Sequence, residues 1–188
     1  MSMHRSWHYV DETKRRQWQN PETVLDAIGL KPGLIFVDVG CGDGFFTLPA
    51  ARLVGPTGKV YGVDMGSEAI KEMRRKASGE GLTNLELTVG KAEETILCHA
   101  CADIVFFGNV LHDFQDPAEV VKNARKMLKP KGKLVNLDWK KIGMTFGPPL
   151  SMRFDEATAT HLIEHAGFKV ESIKESGLYH YLIIADPL

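Results

Sequence analysis

The sequence lacks any apolar stretch approaching the ~20 residues that a membrane-spanning helix needs, and its longest apolar runs have the length of strands. It also lacks an excess of charge of either sign, because 23 Lys and Arg residues are balanced by 24 Asp and Glu residues. A balanced charge gives no general attraction to nucleic acid or to an anionic membrane. We therefore expect a cytoplasmic protein, with neither a membrane nor nucleic acid as its partner. The oligomeric state stays open.

Cysteine is scarce as well, with only Cys41, Cys98 and Cys101. So sparse and odd a set differs from the dense, even sets of small secreted proteins and favours a reducing compartment. Cys98 and Cys101 have a Cys-x-x-Cys spacing, which suits either metal ligation or a redox disulfide. Because a closed zinc site needs four ligands and no second pair exists, we expect no metal and interpret both residues as small packing residues.

The 188 residues, 44% of them apolar, predict one globular domain built from alternating strands and helices. Near-continuous apolar runs predict strands at 34–39, 59–63, 85–89, 104–107, 134–137, 169–174 and 179–185. Helical stretches are predicted near 21–28 and at 45–54, 67–79, 117–128 and 155–166. The alternation predicts parallel pairing, and the last two runs, joined by a short turn at 175–178, predict an antiparallel hairpin.

Residues 1–20 mix aromatic and basic side chains and precede the first periodic segment. We predict that they form an N-terminal arm, which acts as a lid or merely packs on the domain. Residues 21–188 are predicted to form the single domain.

A glycine-rich turn follows the first predicted strand, with Gly40, Gly42 and Gly44 at alternate positions. Glycines at such a turn allow a sharp bend and let a ligand approach the backbone closely. Asp64 stands twenty residues beyond Gly44, at the end of the second strand, where a carboxylate can accept from both hydroxyls of a ribose. A tight turn with a solvent-facing aspartate is the alternative, but the pairing favours an adenosine-containing cofactor.

The spacing of the glycines and a nearby acid distinguish between cofactors. Dinucleotide sites usually have Gly-x-Gly-x-x-Gly, whereas here the third glycine comes one residue early. Asp38, two residues before Gly40, suits an ammonium group better than a pyrophosphate. S-adenosylmethionine carries an ammonium and a ribose and has no phosphate. A nicotinamide-dependent reductase is the enzymatic alternative, although no Tyr-x-x-x-Lys pair follows the fifth strand to support it.

Four segments, 38–44, 63–65, 90–93 and 103–112, resemble motifs of the class I S-adenosylmethionine-dependent methyltransferases. The likeness extends from about Pro21 to the C-terminus and is greatest to the small-molecule branch that includes ubiquinone and menaquinone biosynthesis enzymes. It implies an α/β, Rossmann-like doubly wound sheet of seven strands, in the order 3-2-1-4-5-7-6, with strand 7 antiparallel.

The resemblance also implies the cofactor site, with the methionine part near Gly40 and Asn109 and adenine near Met65 and Ala92. Members of the family often carry an acid where this chain has Lys91, so backbone amides around Ala92, or Glu93, would contact adenine instead. The predicted cofactor residues are Asp38, Gly40, Cys41, Gly42, Gly44, Phe45, Asp64, Met65, Lys91, Ala92, Glu93 and Asn109. S-adenosylhomocysteine would be the product.

His112 and Asp138 follow the fourth and fifth strands, at the edge where an acceptor would enter, and are the predicted catalytic residues. An imidazole can take a proton near neutral pH, and the alternative for His112 is a hydrogen-bonded loop residue. Arg153 is a further candidate for acceptor contact or for a loop salt bridge. The Gly- and Pro-marked stretch 142–153 predicts either a cover over the site or an ordered crossover.

We therefore predict an enzyme that transfers a methyl group to a small-molecule acceptor by in-line displacement. The alternatives are RNA or protein methylation, the reductase named above, and a cofactor-binding module without catalysis. The identity of the acceptor and its reacting atom stay open.

Overall fold

The computed structural model describes residues 12–188; the first part of the predicted arm, residues 1–11, lies outside the described residues. Within them, seven strands form one sheet in the order β3-β2-β1-β4-β5-β7-β6. β7 runs antiparallel to β5 and β6, and the other neighbouring pairs are parallel. The predicted Rossmann-like doubly wound order is confirmed. The strands are β1 Ile35–Val39, β2 Lys59–Asp64, β3 Leu85–Val89, β4 Ala102–Gly108, β5 Leu128–Trp139, β6 Phe168–Ser176 and β7 His180–Pro187.

Helices connect the strands, and side-chain caps mark where several of them begin. Asn20, Asp116 and Asp155 each accept a hydrogen bond from a backbone N–H in the first turn of the helix that follows. Such caps satisfy donors that have no partner within the helix. The helices are α1 Glu12–Trp18, α2 Pro21–Ala27, α3 Thr47–Val54, α4 Ser67–Gly79, α5 Pro117–Met127 and α6 Glu156–His165, with 3₁₀ turns at Ala92–Glu94 and Leu111–Asp113.

The core forms on both faces of the sheet, because side chains alternate between the faces along each strand. Phe36 and Phe106 are buried on the face covered by α2 and α3. Val105 and Phe107 are buried on the opposite face, against α5 and α6. Burying one such side chain contributes roughly 1.5–3 kcal/mol. This two-sided core explains the near-continuous apolar runs and holds the strand ends in fixed positions.

The fifth strand differs most from its prediction. β5 begins at Leu128, directly after α5, whereas the apolar run predicted a start at Leu134. Its first half is charged, and its pairing with β4 is irregular, since the register shifts between Ala102 and Ile104. The apolar pattern therefore revealed only the regular, buried half of the strand.

Cys98 and Cys101 form a disulfide in the loop that enters β4. The interpretation of these residues as unbonded packing residues is therefore wrong. Both side chains do pack, partly buried, against the core on the α5 side of the sheet. Cys-x-x-Cys spacing is compatible with free thiols, metal ligands or a disulfide. The spacing alone therefore does not predict which of the three forms.

Among the described residues, no helix is both long enough and apolar enough to span a membrane.

Candidate functional site

The candidate site lies where the order of the strands reverses. β1 and β4 are neighbours, but the chain leaves β1 towards β2 on one side and leaves β4 towards β5 on the other. This divergence opens a crevice beyond the carboxyl ends of the two strands. The glycine turn lines one side and residues 109–113 line the other. The two loops lie so close that a Cβ added at Gly40 would fall 2.5 Å from Cγ2 of Val110.

The glycine turn requires glycine for two different reasons. Gly40, Gly42 and Gly44 have φ of +75°, +55° and +97°, a region that disfavours side chains. At Gly44 the protein itself fills the space, because an added Cβ would meet Met73 at 2.9 Å. At Gly42 an added Cβ would meet nothing within 4 Å. The turn therefore exposes bare backbone at Gly42, as a cradle for a ligand requires.

Asp64 fastens the glycine turn to the end of β2. Its Oδ2 accepts from the backbone N–H of Gly42 at 2.9 Å, and its Oδ1 accepts from that of Gly66 at 2.7 Å. An ionised carboxylate has about four acceptor positions, so capacity for two further donors remains. The predicted contact with ribose hydroxyls is thus compatible with a second role, which is to hold the turn in place.

Asp38 is a buried acid beside the turn, only 2% exposed. The hydroxyl of Thr47 donates to its Oδ2 at 2.6 Å. Burial raises the pKa of Asp38 to about 7, against the hydrogen bond from Thr47, and the charge of Asp64 raises it further. A carboxyl so deprived of water gains from a cation placed beside it, which fits the predicted ammonium partner.

At the far end of the crevice, apolar side chains are exposed where β2 and β3 end. Met65 is 62% exposed and Val89 is 48% exposed. Ala92 is buried at the start of a 3₁₀ turn beside them. Because a purine ring packs well on exposed apolar groups, this end fits the predicted adenine position.

The side chains of two predicted adenine residues already have protein partners. The ammonium of Lys91 lies 3.3 Å from Glu94 Oε1 at the surface. Glu93 Oε1 accepts from the backbone N–H of Gln115 at 3.0 Å. Glu93 thereby joins the segment after β3 to the loop after β4, and both loops border the crevice.

Two other predicted cofactor residues, Cys41 and Phe45, are buried beneath the turn. Burial raises the pKa of the Cys41 thiol well above its ordinary value, so the thiol is neutral. The Phe45 ring lies edge-on to Phe46 and is covered by the guanidinium of Arg15, whose carbon is 3.7 Å from the ring centroid. Their side chains therefore shape the turn from below.

Asn109 has a left-handed backbone, with φ of +61°, which is uncommon for residues other than glycine and is often found at functional sites. Its Nδ2 donates to Oε1 of Gln19 at 2.9 Å, and Nε2 of Gln19 lies 3.4 Å from Oδ1 of Asn109. Gln19, which directly follows α1, thus reaches the crevice. Sequence reasoning missed Arg15 and Gln19, since neither belongs to a recognisable pattern.

His112 and Asp138 form a buried pair across the carboxyl ends of β4 and β5. Nδ1 of His112 lies 2.7 Å from Oδ1 of Asp138, and the two side chains are 0% and 1% exposed. Burial opposes the charged imidazolium, but the charge of Asp138, this hydrogen bond and the charge of Asp113, 3.5 Å from Nε2, together outweigh burial and raise the pKa of His112. A carboxylate on Nδ1 orients the ring and strengthens Nε2 as a base.

The stretch 142–153 folds around a buried Arg153. Its guanidinium donates to the carbonyls of Pro148 at 2.8 Å, Ile142 at 2.9 Å and Phe146 at 3.1 Å. The loop lines an open cleft of about 240 Å³. Arg153 therefore organises the loop, and among residues 12–188 it forms no salt bridge.

Comparison with known proteins agrees with this geometry. A protein-family profile described as "Methyltransferase domain" matches residues 30–175. A crystal structure of a SAM dependent methyltransferase from Aquifex aeolicus superposes with a TM-score of 0.87 at 29% identity, covering 95% of this chain and 100% of that one.

Two curated relatives are similar over about two thirds of this chain. A demethylmenaquinone methyltransferase from Geobacillus stearothermophilus is 32% identical over 66% of this chain and 53% of its own length. A nocamycin O-methyltransferase from Saccharothrix syringae is 30% identical over 69% of this chain and 44% of its own length. The chain thus spans about half the length of these relatives. With a matching profile, the predicted strand order and the glycine turn in place, the chain belongs to the methyltransferase domain family.

Proposed function

We propose that the protein is an S-adenosylmethionine-dependent methyltransferase that acts on a small-molecule acceptor. The observation that carries the proposal is the crevice between β1 and β4, which brings the open backbone at Gly42 and the acids Asp38 and Asp64 opposite the buried pair of His112 and Asp138. The two curated relatives are both named for small-molecule chemistry. The cofactor supplies a methyl group on a sulfonium, which is already a good leaving group.

Each side of the crevice has a separate task. Asp64 would accept from the ribose, Asp38 would face the ammonium, and Met65 would pack on adenine. His112 would take the proton of the acceptor, with Asp138 holding the ring in the productive orientation. Residues 21–188 would form the catalytic domain in the cytoplasm, and residues 12–20 of the predicted arm would pack beside the cofactor site.

Replacing Asp64 with alanine is expected to weaken S-adenosylhomocysteine binding about tenfold or more. The substitution removes the acceptors for the ribose and also frees the N–H of Gly42, and each hydrogen bond to a charged group contributes ~1.5–3 kcal/mol. Calorimetric titration measures the affinity. Glu68→Ala is the control, because Glu68 is an exposed acid on α4 with a single weak ion pair to Lys71. If the folded wild-type protein binds no S-adenosylhomocysteine, the proposed function is wrong.

The acceptor class requires a separate measurement. We expect S-adenosylhomocysteine to be released from S-adenosylmethionine only when a suitable small molecule, such as a phenol or a quinol, is supplied. A panel of such compounds, compared with bulk RNA and with a protein mixture, tests this. Release that depends on RNA or protein alone would exclude the small-molecule assignment while leaving cofactor binding intact.

Cofactor affinity is expected to rise with pH up to about pH 7 and then to level off. Asp38 is protonated below its pKa of about 7, and an ammonium partner favours its anionic form. Each unit of pH below 7 should therefore weaken S-adenosylhomocysteine binding by up to about tenfold. Titrations from pH 5.5 to 8.5 measure this, with proton release detected in buffers of different ionisation enthalpy. Asp38→Asn should abolish the dependence, and its persistence in that variant would reject Asp38 as the partner.

A further inference from the structure

The Cys98–Cys101 disulfide lies in the loop between the 3₁₀ turn Ala92–Glu94 and β4. Besides the two cysteines, the bridged turn contains only His99 and Ala100, which are both exposed. The cysteines themselves are partly buried against the core, so each keeps part of its surface open to solvent. A thiol reagent in solution can therefore reach the bridge.

The bridged turn has an unfavourable backbone and is fastened to the end of α5. Ala100 has φ of +47°, a region that residues with a side chain rarely adopt. Its N–H donates to the carbonyl of Lys126 at 3.0 Å, and the N–H of Cys101 donates to that of Met127 at 2.9 Å. The bridge fixes both ends of the turn and so holds these groups in place. Without the bridge, Ala100 gains from returning to an ordinary conformation, and both hydrogen bonds are then weakened.

The same helix holds the rim of the crevice at the proposed adenine position. Nδ2 of Asn123, on α5, donates to the carbonyl of Glu93 at 2.8 Å. Only three residues separate Glu94 from Cys98. The segment 92–101 is thus attached to α5 at both ends, by Glu93 and by the bridged turn. If one attachment is lost, the other must hold the whole segment.

We infer that Cys98 and Cys101 form a redox-active site whose reduction lowers the affinity for the cofactor. The inference rests on the proposed function and adds regulation of the same site. Disulfides in cytoplasmic proteins are usually transient, because the cytoplasm keeps thiols reduced, and those that form there commonly sense redox state. When the bridge opens, the turn relaxes and the segment 92–101 is held by α5 only at Glu93. The adenine position becomes less well ordered, and binding must then order it.

The reaction at the bridge is thiol–disulfide exchange with a dithiol. A thiolate of the dithiol attacks one of the two sulfurs, the bond between Cys98 and Cys101 breaks, and a mixed disulfide forms. The second thiol of the reductant then closes the reductant's own disulfide and releases the protein. The cysteine pair has gained two electrons and two protons, which the dithiol has lost. Cys41, the third cysteine, is buried beneath the glycine turn and is left unchanged.

The first test is whether the folded protein exchanges the bridge. Dithiothreitol at neutral pH is expected to open it, and alkylation after denaturation should then label three cysteines by mass spectrometry instead of Cys41 alone. Amide hydrogen exchange at Ala100 and Cys101 should become faster in the reduced protein, with exchange in β1 unchanged. Neither measurement needs a cofactor. A bridge that dithiothreitol opens only when the protein unfolds would be a permanent crosslink and would overturn the inference.

The second test is whether the bridge controls binding. Calorimetric titration should give an affinity for S-adenosylhomocysteine about five- to tenfold lower for the reduced protein than for the oxidised protein. Adenosine should lose the same factor, because the loosened segment lies at the adenine end. The double variant Cys98→Ser, Cys101→Ser should bind like the reduced protein, and dithiothreitol should not change its affinity. Thermal unfolding confirms that each form is folded.

The double variant is also the control for effects of dithiothreitol elsewhere, since it retains Cys41 and lacks only the pair. Equal affinities of the oxidised and reduced wild type, or a double variant that still responds to dithiothreitol, would overturn the inference. If the oxidised wild type binds no S-adenosylhomocysteine, the proposed function is wrong and the regulation is rejected with it, even where labelling shows that the bridge exchanges.

Discussion

Replacing His112 with glutamine is expected to slow methyl transfer about 100-fold or more, because a positioned base contributes ~10²–10⁴-fold to a reaction that removes a proton. Glutamine retains hydrogen-bonding capacity towards Asp138 but cannot accept a proton at neutral pH. The affinity for S-adenosylhomocysteine should change by less than about twofold, since the proposed contacts with the cofactor do not involve His112. Initial rates with an acceptor identified in the panel, together with calorimetric titration, measure both effects.

The dependence of the methyl-transfer rate on pH distinguishes a catalytic base at His112 from a residue that is only structural. The pKa of His112 is raised above its ordinary value in the folded protein, so the rate should rise with pH through that raised pKa as the ring loses its proton. Asp138→Asn removes the larger of the two charges that raise the pKa of His112, and the rising limb should then shift to lower pH. If His112 and Asp138 had only a structural role, Asp138→Asn would lower the rate without shifting the rising limb of the pH profile.

His165→Gln provides the control for loss of an imidazole. His165 is exposed near the end of α6, and its Nδ1 contacts the carbonyl of His161 in its own helix. We expect wild-type rates and an unchanged profile in this variant. A folded His112→Gln protein that retained the full rate with the wild-type profile would exclude His112 as the base.

The parts of the fold that the sequence predicted accurately have a regular spacing of apolar residues and clear boundaries. β3 was predicted with its exact bounds and α4 likewise, because each has its own periodicity and punctuation. The first half of β5 was missed, since its charged residues carry no apolar pattern and its pairing follows only from the position of β4. The disulfide was missed for a related reason: the spacing of Cys98 and Cys101 is compatible with several chemical states.

The candidate site likewise has one part that the sequence predicts and another that only the folded structure reveals. The glycine turn and Asp64 belong to one βαβ unit, so their relation was readable from spacing along the chain. His112 and Asp138 were each expected at a strand end, but their contact at 2.7 Å required the completed sheet. The contact of Gln19 with Asn109 joins residues 90 positions apart, and no local pattern marks either Gln19 or Arg15 as part of the site. The sequence therefore does not predict the long-range contacts between polar side chains in the site.

Alanine at Gly40 should lower stability more than alanine at Gly42. Gly40→Ala is expected to lower the free energy of unfolding by about 2–4 kcal/mol, since it adds the cost of a left-handed alanine to a clash with Val110 at 2.5 Å. Gly42→Ala should cost only about 1 kcal/mol, because an added Cβ meets nothing within 4 Å. Denaturant unfolding of the two variants measures this difference.

Gly42→Ala should nevertheless weaken S-adenosylhomocysteine binding about tenfold or more, because its methyl group would occupy the space that the turn keeps clear for a ligand. Gly81→Ala is the control, since Gly81 also has a positive φ and no atom within 4 Å of an added Cβ, but lies beyond the end of α4. That variant should show a comparable loss of stability and wild-type affinity. If Gly42→Ala also bound with wild-type affinity, the open side of the turn would not be where the cofactor approaches, and the reason for a glycine there would lie in backbone conformation alone.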